Sequence, residues 1–289
     1  MSYVSIKLLL KPPVIFAILA VFVCQTLAAL SLAQAHELWL EQAEPMISED
    51  NQIEVDIRLG QMFSGSKQFF IPERSVTLKL ITGEGEVPLN PRPGNRPAIS
   101  IPAADQPGHM VIAYETIGFY LTYTEWEKFV AFTETKRASA IPDQHLMREL
   151  SKDNFKERYK RFAKTSLFMP KTNESINDAA TGLEIEFIIT NVEPVSEIAQ
   201  RITAVLIYQD NPLANAPVTL FIRTPDSQVM TKDLKTDDQG LITLETQTGA
   251  YYMLDHVLFR PIAPDADPKG AVWETLWASH SFLGLTHPR

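Results

Sequence analysis

Gln52-Ile53-Glu54-Val55-Asp56-Ile57-Arg58-Leu59 sets apolar and polar side chains in strict alternation. Ile53, Val55, Ile57 and Leu59 fall on one side, and Glu54, Asp56 and Arg58 on the other, which is the period-two pattern of a half-buried strand. Ser75 to Ile81 repeats the pattern with Val76, Leu78 and Leu80 inward. Thr82 to Pro107 is broken by Gly83, Gly85, Pro88, Pro91, Pro93, Gly94 and Pro97, so loops dominate there. Gln106-Pro107-Gly108 then turns into another strand over Met110 to Tyr114. Short alternating strands with this punctuation predict a β-sandwich.

Downstream the period changes. Thr124-Glu125-Trp126-Glu127 offers a hydroxyl N-cap with an acid three residues on, followed by a helical stripe of Trp126, Phe129, Val130 and Phe132. A second helix is expected from about Asp143 to Phe162, with Leu146, Leu150, Phe155, Tyr159 and Phe162 among charged neighbours. The charge run Lys152 to Lys164 reads as the solvated face of that helix. Lys171 to Thr181 is a polar connection, after which Leu183 to Ile189 resumes strand character. Thr203 to Tyr208, Pro217 to Arg223, Gly240 to Glu245, Tyr251 to Phe259 and Glu274 to Phe282 are further strands separated by turns. The expected fold class is mainly β, with two β-sandwich domains. The first spans residues 36–181 and carries a helical insertion or appendage over about 124–165, and the second spans 182–289.

Upstream, residues 1–35 have the three parts of a secretory signal: basic Lys7 and Lys11, an apolar run from Val14, and small Ala33 and Ala35 before the expected cut. An uncleaved anchor and a lipidated Cys24 are the alternatives. Cleavage between Ala35 and His36 takes 35 residues from 289, leaves 254, and moves the formal charge from −9 to −11. Cys24 is the one cysteine, so the mature chain has neither disulfides nor thiolate metal ligands. An acidic chain without a basic cluster argues against nucleic acid as a partner.

Asn211-Pro212-Leu213-Ala214-Asn215-Ala216-Pro217-Val218, Thr236-Asp237-Asp238-Gln239-Gly240 and Gly249-Ala250-Tyr251-Tyr252 resemble a prealbumin-type sandwich module. Four features in order resemble the family catalogued as domain of unknown function 4198. They are His36-Glu37-Leu38-Trp39 after a signal peptide, Gly108-His109-Met110-Val111-Ile112-Ala113-Tyr114, the Glu127-Lys128-Phe129 helix followed by Arg158-Tyr159-Lys160-Arg161, and Trp273-Glu274-Thr275-Leu276-Trp277. The resemblance covers nearly the whole mature chain. It implies a periplasmic component of nickel or cobalt uptake, with a metal ion and a membrane transport component as partners.

A mature chain beginning at His36 would offer two ligands from one residue, its α-amine and its ring. The motif that needs histidine in third position is absent, since Leu38 stands there. What remains is a brace, closed on nickel, cobalt or copper by a ring from elsewhere and by a carboxylate such as Glu37. His109 and His280 are the first candidates for that ring, and His256 the third. Alternation puts His256 with Leu254 and Leu258, and His280 with Leu276, Ala278 and Phe282, so both also suit hydrogen-bonded positions on buried faces. His145 and His287 read as structural.

Other chemistry is weakly signalled. Ser64-Gly65-Ser66 and Ser279-His280-Ser281 lack a nucleophile elbow, and no phosphate-cradling or dinucleotide glycine loop is present. Glu184 and Glu186 read as a solvated pair, and Asp237-Asp238 as turn chemistry. Trp126, Trp273 and Trp277 suit a core edge better than a sugar-binding face. The expectation is a periplasmic or secreted transition-metal-binding protein serving uptake or homeostasis. It touches a membrane only through an uncleaved leader. The alternatives are a non-metal envelope interaction or carbohydrate-binding module and, less favoured, a copper-dependent oxidative enzyme.

Overall fold

The alternation that predicts strands is realised in a computed structural model describing residues 36–42, 52–103, 108–168, 178–263 and 265–284. The leader, most of the Lys171 to Thr181 connection and His287 lie outside those residues. The first strands are β1 (Glu37–Gln42), β2 (Gln52–Gln61), β3 (Ser64–Gln68), β4 (Ser75–Thr82), β5 (Gly85–Pro88), β6 (Ile99–Pro102), β7 (His109–Thr116) and β8 (Phe119–Tyr123). Helices α1 (Trp126–Thr135) and α2 (Ile141–Met147) follow. Then come β9 (Phe155–Phe168), β10 (Ile185–Ser196), β11 (Ala199–Tyr208), β12 (Asn211–Pro212), β13 (Pro217–Arg223), β14 (Val229–Lys235), β15 (Leu241–Gln247), β16 (Tyr251–Pro261) and β17 (Ala271–Leu283).

These strands form three sheets. A central nine-stranded sheet runs β14-β13-β16-β17-β9-β7-β4-β5, with β8 also on β9. A small sheet of β1-β2-β3, with β6 on β2, and another of β10-β11-β12, with β15 on β11, complete the fold. The sandwich-like, mainly β architecture expected from the sequence is therefore present. Leu38, Leu40, Val55 and Ile57 of the first small sheet share a core with Leu78, Leu80, Met110, Ile112 and Ala163 of the central one. On the opposite face Ile185, Phe187, Ile202, Leu206 and Leu244 pack against Val218, Leu254, Leu276, Ala278 and Phe282. The central sheet takes strands from both sides of residue 181, and residues 36–289 form one compact unit.

The second helix is the main correction. Only Ile141–Met147 is helical there, and Phe155–Phe168 is a strand pairing with β7, β8 and β17. Both faces of β9 are covered, so its pattern lacks the alternation of a half-buried strand. Its charges are not a solvated face either. Glu157, Arg161 and Lys164 are buried. Lys164 Nζ donates to Asp178 at 3.1 Å and to Glu186 at 2.9 Å, which also removes Glu186 from its expected solvated role. The expected hydroxyl cap fails too: α1 starts from Glu125 with no side-chain cap bond. Trp273 and Trp277 are buried, which fits the core reading and takes both from a sugar-binding face.

Candidate functional site

β1 is an edge strand that is buried on both sides, an arrangement that needs every outward backbone group to find a partner. Side chains of the central sheet provide them. Ser279 Oγ donates to the Leu38 carbonyl at 2.7 Å, Ser281 Oγ to that of Leu40 at 2.5 Å, and the Tyr251 hydroxyl to Leu40 at 3.2 Å. One step toward the leader, Arg161 Nη2 donates to the His36 carbonyl at 3.1 Å. The Ser279-His280-Ser281 motif is thereby explained: its serines cap β1 on one face of β17, while His280 projects from the other.

Glu37 completes the anchor. Lys136, at the end of α1, donates to Glu37 at 2.8 Å and to Asp255 at 2.9 Å, with its Nζ 4.5 Å from the Trp277 ring centroid. Burial pushes the Glu37 carboxyl up and Lys136 holds it back, so the pKa stays above the usual carboxylate value. Burial works to lower Lys136, but Asp255 and Glu37 outweigh it and raise its pKa. Glu37 is thus committed to an ion pair, although its Oε2 lacks a hydrogen-bond partner.

His36 itself is exposed. Glu37 pairs with Gly60, so the register brings His36 level with Gln61, where β2 turns into β3. An open hollow of about 700 Å³ at this corner is lined by His36, Gln61, Met62, Ser64 and Ser66, with Leu59 and the two glycines behind. Gly65 is required there, since a Cβ would lie 2.6 Å from the Trp39 ring.

The internal histidines lie elsewhere. Register places His109, His256 and His280 on the face of the central sheet opposite the one that receives β1. His280 is fully buried: its Nδ1–H donates to the Phe187 carbonyl at 3.1 Å and Nε2 accepts from the Ser166 hydroxyl at 2.9 Å. Burial, with Lys164 nearby, holds its pKa well below the ordinary histidine value. His256 donates from Nδ1 to the Pro217 carbonyl at 2.7 Å, and burial lowers its pKa to about 4. His109 is buried at the start of β7. His145, expected to be structural, accepts from Trp273 Nε1 at 3.0 Å and donates to the Ser151 carbonyl at 2.9 Å. Among the described residues, no three His, Cys, Asp or Glu side chains converge as a metal site. The structure therefore brings His36 and Glu37 together with Lys136, Arg161 and Asp255, and does not bring His109, His256 or His280 to them. Arg161 lies in the Lys152 to Lys164 run that reads as a solvated face, and Lys136 closes α1 outside any motif of the sequence.

The family model for a domain of unknown function (DUF4198) matches residues 33–258. The chain belongs to that family. No curated protein matches it. Among solved structures, the chain is similar to a tetra-tandem repeat in the extending region of a large adhesion protein. That match has 10% identity, covers 88% of this chain and 50% of the other, and has a TM-score of 0.21. The chain thus spans half the length of that structure. The D0-D1 domain of intimin matches with 11% identity over 86% of this chain and 97% of the other, at a TM-score of 0.20. Among the described residues, no helix is long and apolar enough to cross a membrane.

Proposed function

We propose that this family member is a periplasmic metal-binding protein whose mature chain begins at His36. The α-amine and Nδ1 of His36 would close a six-membered chelate on a divalent transition ion, nickel, cobalt or copper, and present it to a membrane transport component. One observation carries the reading: His36 is exposed while its own carbonyl and the next side chain are pinned by Arg161 and Lys136. A terminus held in this way loses little further freedom on binding an ion, which favours affinity. Nitrogen donors suit these borderline ions. A two-donor chelate leaves coordination positions open, which suits an ion that must be passed on. His256 and His280 act as hydrogen-bonded supports of the central sheet.

The test is calorimetric titration with nickel of protein starting at His36 and of the same protein with one residue added before it. Affinity on the order of micromolar or tighter is expected for the first. The extension converts the His36 amine to an amide, which breaks the six-membered chelate, and is expected to lower the affinity. Equal affinity in the two forms contradicts the proposal.

A further inference from the structure

The β2–β3 turn is built from Met62 and Phe63, with φ of 50° and 55°. Both lie in the left-handed region, the sign pattern of a type I′ hairpin, where Asn and Gly are the usual residues. Two bulky residues there cost roughly 1–2 kcal/mol each in backbone strain. Phe63 recovers that cost by packing. It is buried, with ring centroids 5.9 Å from Trp39, 6.2 Å from Phe221 and 5.6 Å from Tyr251, under the Arg223 guanidinium at 5.1 Å. Met62 has no such return, being 43% exposed, and it lines the hollow beside His36. Strained backbone that presents an exposed side chain is a feature of functional sites.

We propose that the Met62 thioether is a third donor at the His36 site and gives it a preference for cuprous ion. This rests on the chelate proposed above. Thioether sulfur is a soft ligand that selects Cu(I). The other side chains lining the hollow, from Leu59, Gln61, Ser64 and Ser66, carry no charge. The neighbouring acid, Glu37, is held by Lys136. A site with soft and nitrogen donors and no carboxylate suits a monovalent soft ion better than a hard one. The ion is bound in the oxidation state in which it arrives, so no electron transfer is involved.

The experiment is anaerobic competition for Cu(I) between protein starting at His36 and a chromophoric cuprous chelator, with nickel titrated in parallel. Two variants are compared with the parent: Met62→Leu, which keeps the side-chain volume, and Met62→Asn, which suits the left-handed backbone and protects folding. Both are expected to lose at least about tenfold in cuprous affinity, the scale on which metal-site substitutions act. Nickel affinity is expected to hold, so the ratio of the two falls. Cuprous affinity equal to the parent's in both variants overturns the role of Met62 and leaves the nickel chelate standing. An equal fall for both ions marks loss of the hairpin and also overturns it. A parent that binds no nickel overturns the His36 chelate and this inference with it.

Discussion

Glu157 shows how burial decides the behaviour of a single residue. It is fully buried on β9, where the Tyr123 hydroxyl donates to it at 2.7 Å and the Thr275 hydroxyl donates to its other oxygen. Desolvation outweighs those donors and nearby Arg161, and its pKa rises from 4.5 to about 7. The folded chain therefore holds a proton that the unfolded chain has lost. The resulting stability is fully present below about pH 4.5 and is lost as pH rises through about 7. The scale is about 3 kcal/mol, from 1.36 kcal/mol per pKa unit. His256 has the opposite sign, because its lowered pKa gives stability present above about 6.5 and lost as pH falls toward 4. Comparing Glu157→Gln with the parent cancels His256. Urea unfolding across pH 4.5 to 7.5 is expected to show the parent losing stability relative to the variant as pH rises. Parallel profiles would contradict this.

Among the elements, β1 and β9 depend most on partners distant in sequence. Ser279 and Ser281 cap the outward carbonyls of Leu38 and Leu40, and Tyr251 gives Leu40 a second donor. Ser279→Ala is therefore expected to cost about 1–3 kcal/mol, the penalty for a buried acceptor left short. Ser281→Ala should cost less, and urea unfolding of the two variants checks the order. A larger loss for Ser281→Ala would contradict the edge-capping role. Several strands were legible: Pro217–Arg223 is β13 with the expected limits, and Gln52 to Leu59 and Glu274 to Phe282 fall inside β2 and β17. β9 was not legible, because Phe155, Tyr159 and Phe162 also fit a helical spacing and the partners of its charges lie on other elements. β14 was missed for a different reason: most of its side chains are exposed, so it carries no apolar alternation.

At the scale of the molecule, one central sheet carries a core on each face, and that sheet separates the histidines into two sets. The sequence marks His36 as the distinctive residue, and the buried-face reading of His256 and His280 follows from strand alternation. What alternation could not show is that β1 docks on the opposite face, which keeps both from His36. Met62, Lys136 and Arg161 reach the same corner from separate elements and carry no shared motif. Metal chemistry therefore falls to the corner around the amino end, where His36 supplies the one imidazole. Pulsed electron paramagnetic resonance on copper(II)-loaded protein starting at His36 counts the imidazoles bound to the ion. Remote-nitrogen modulation from a single imidazole is predicted; modulation from two, or from none, would contradict the account.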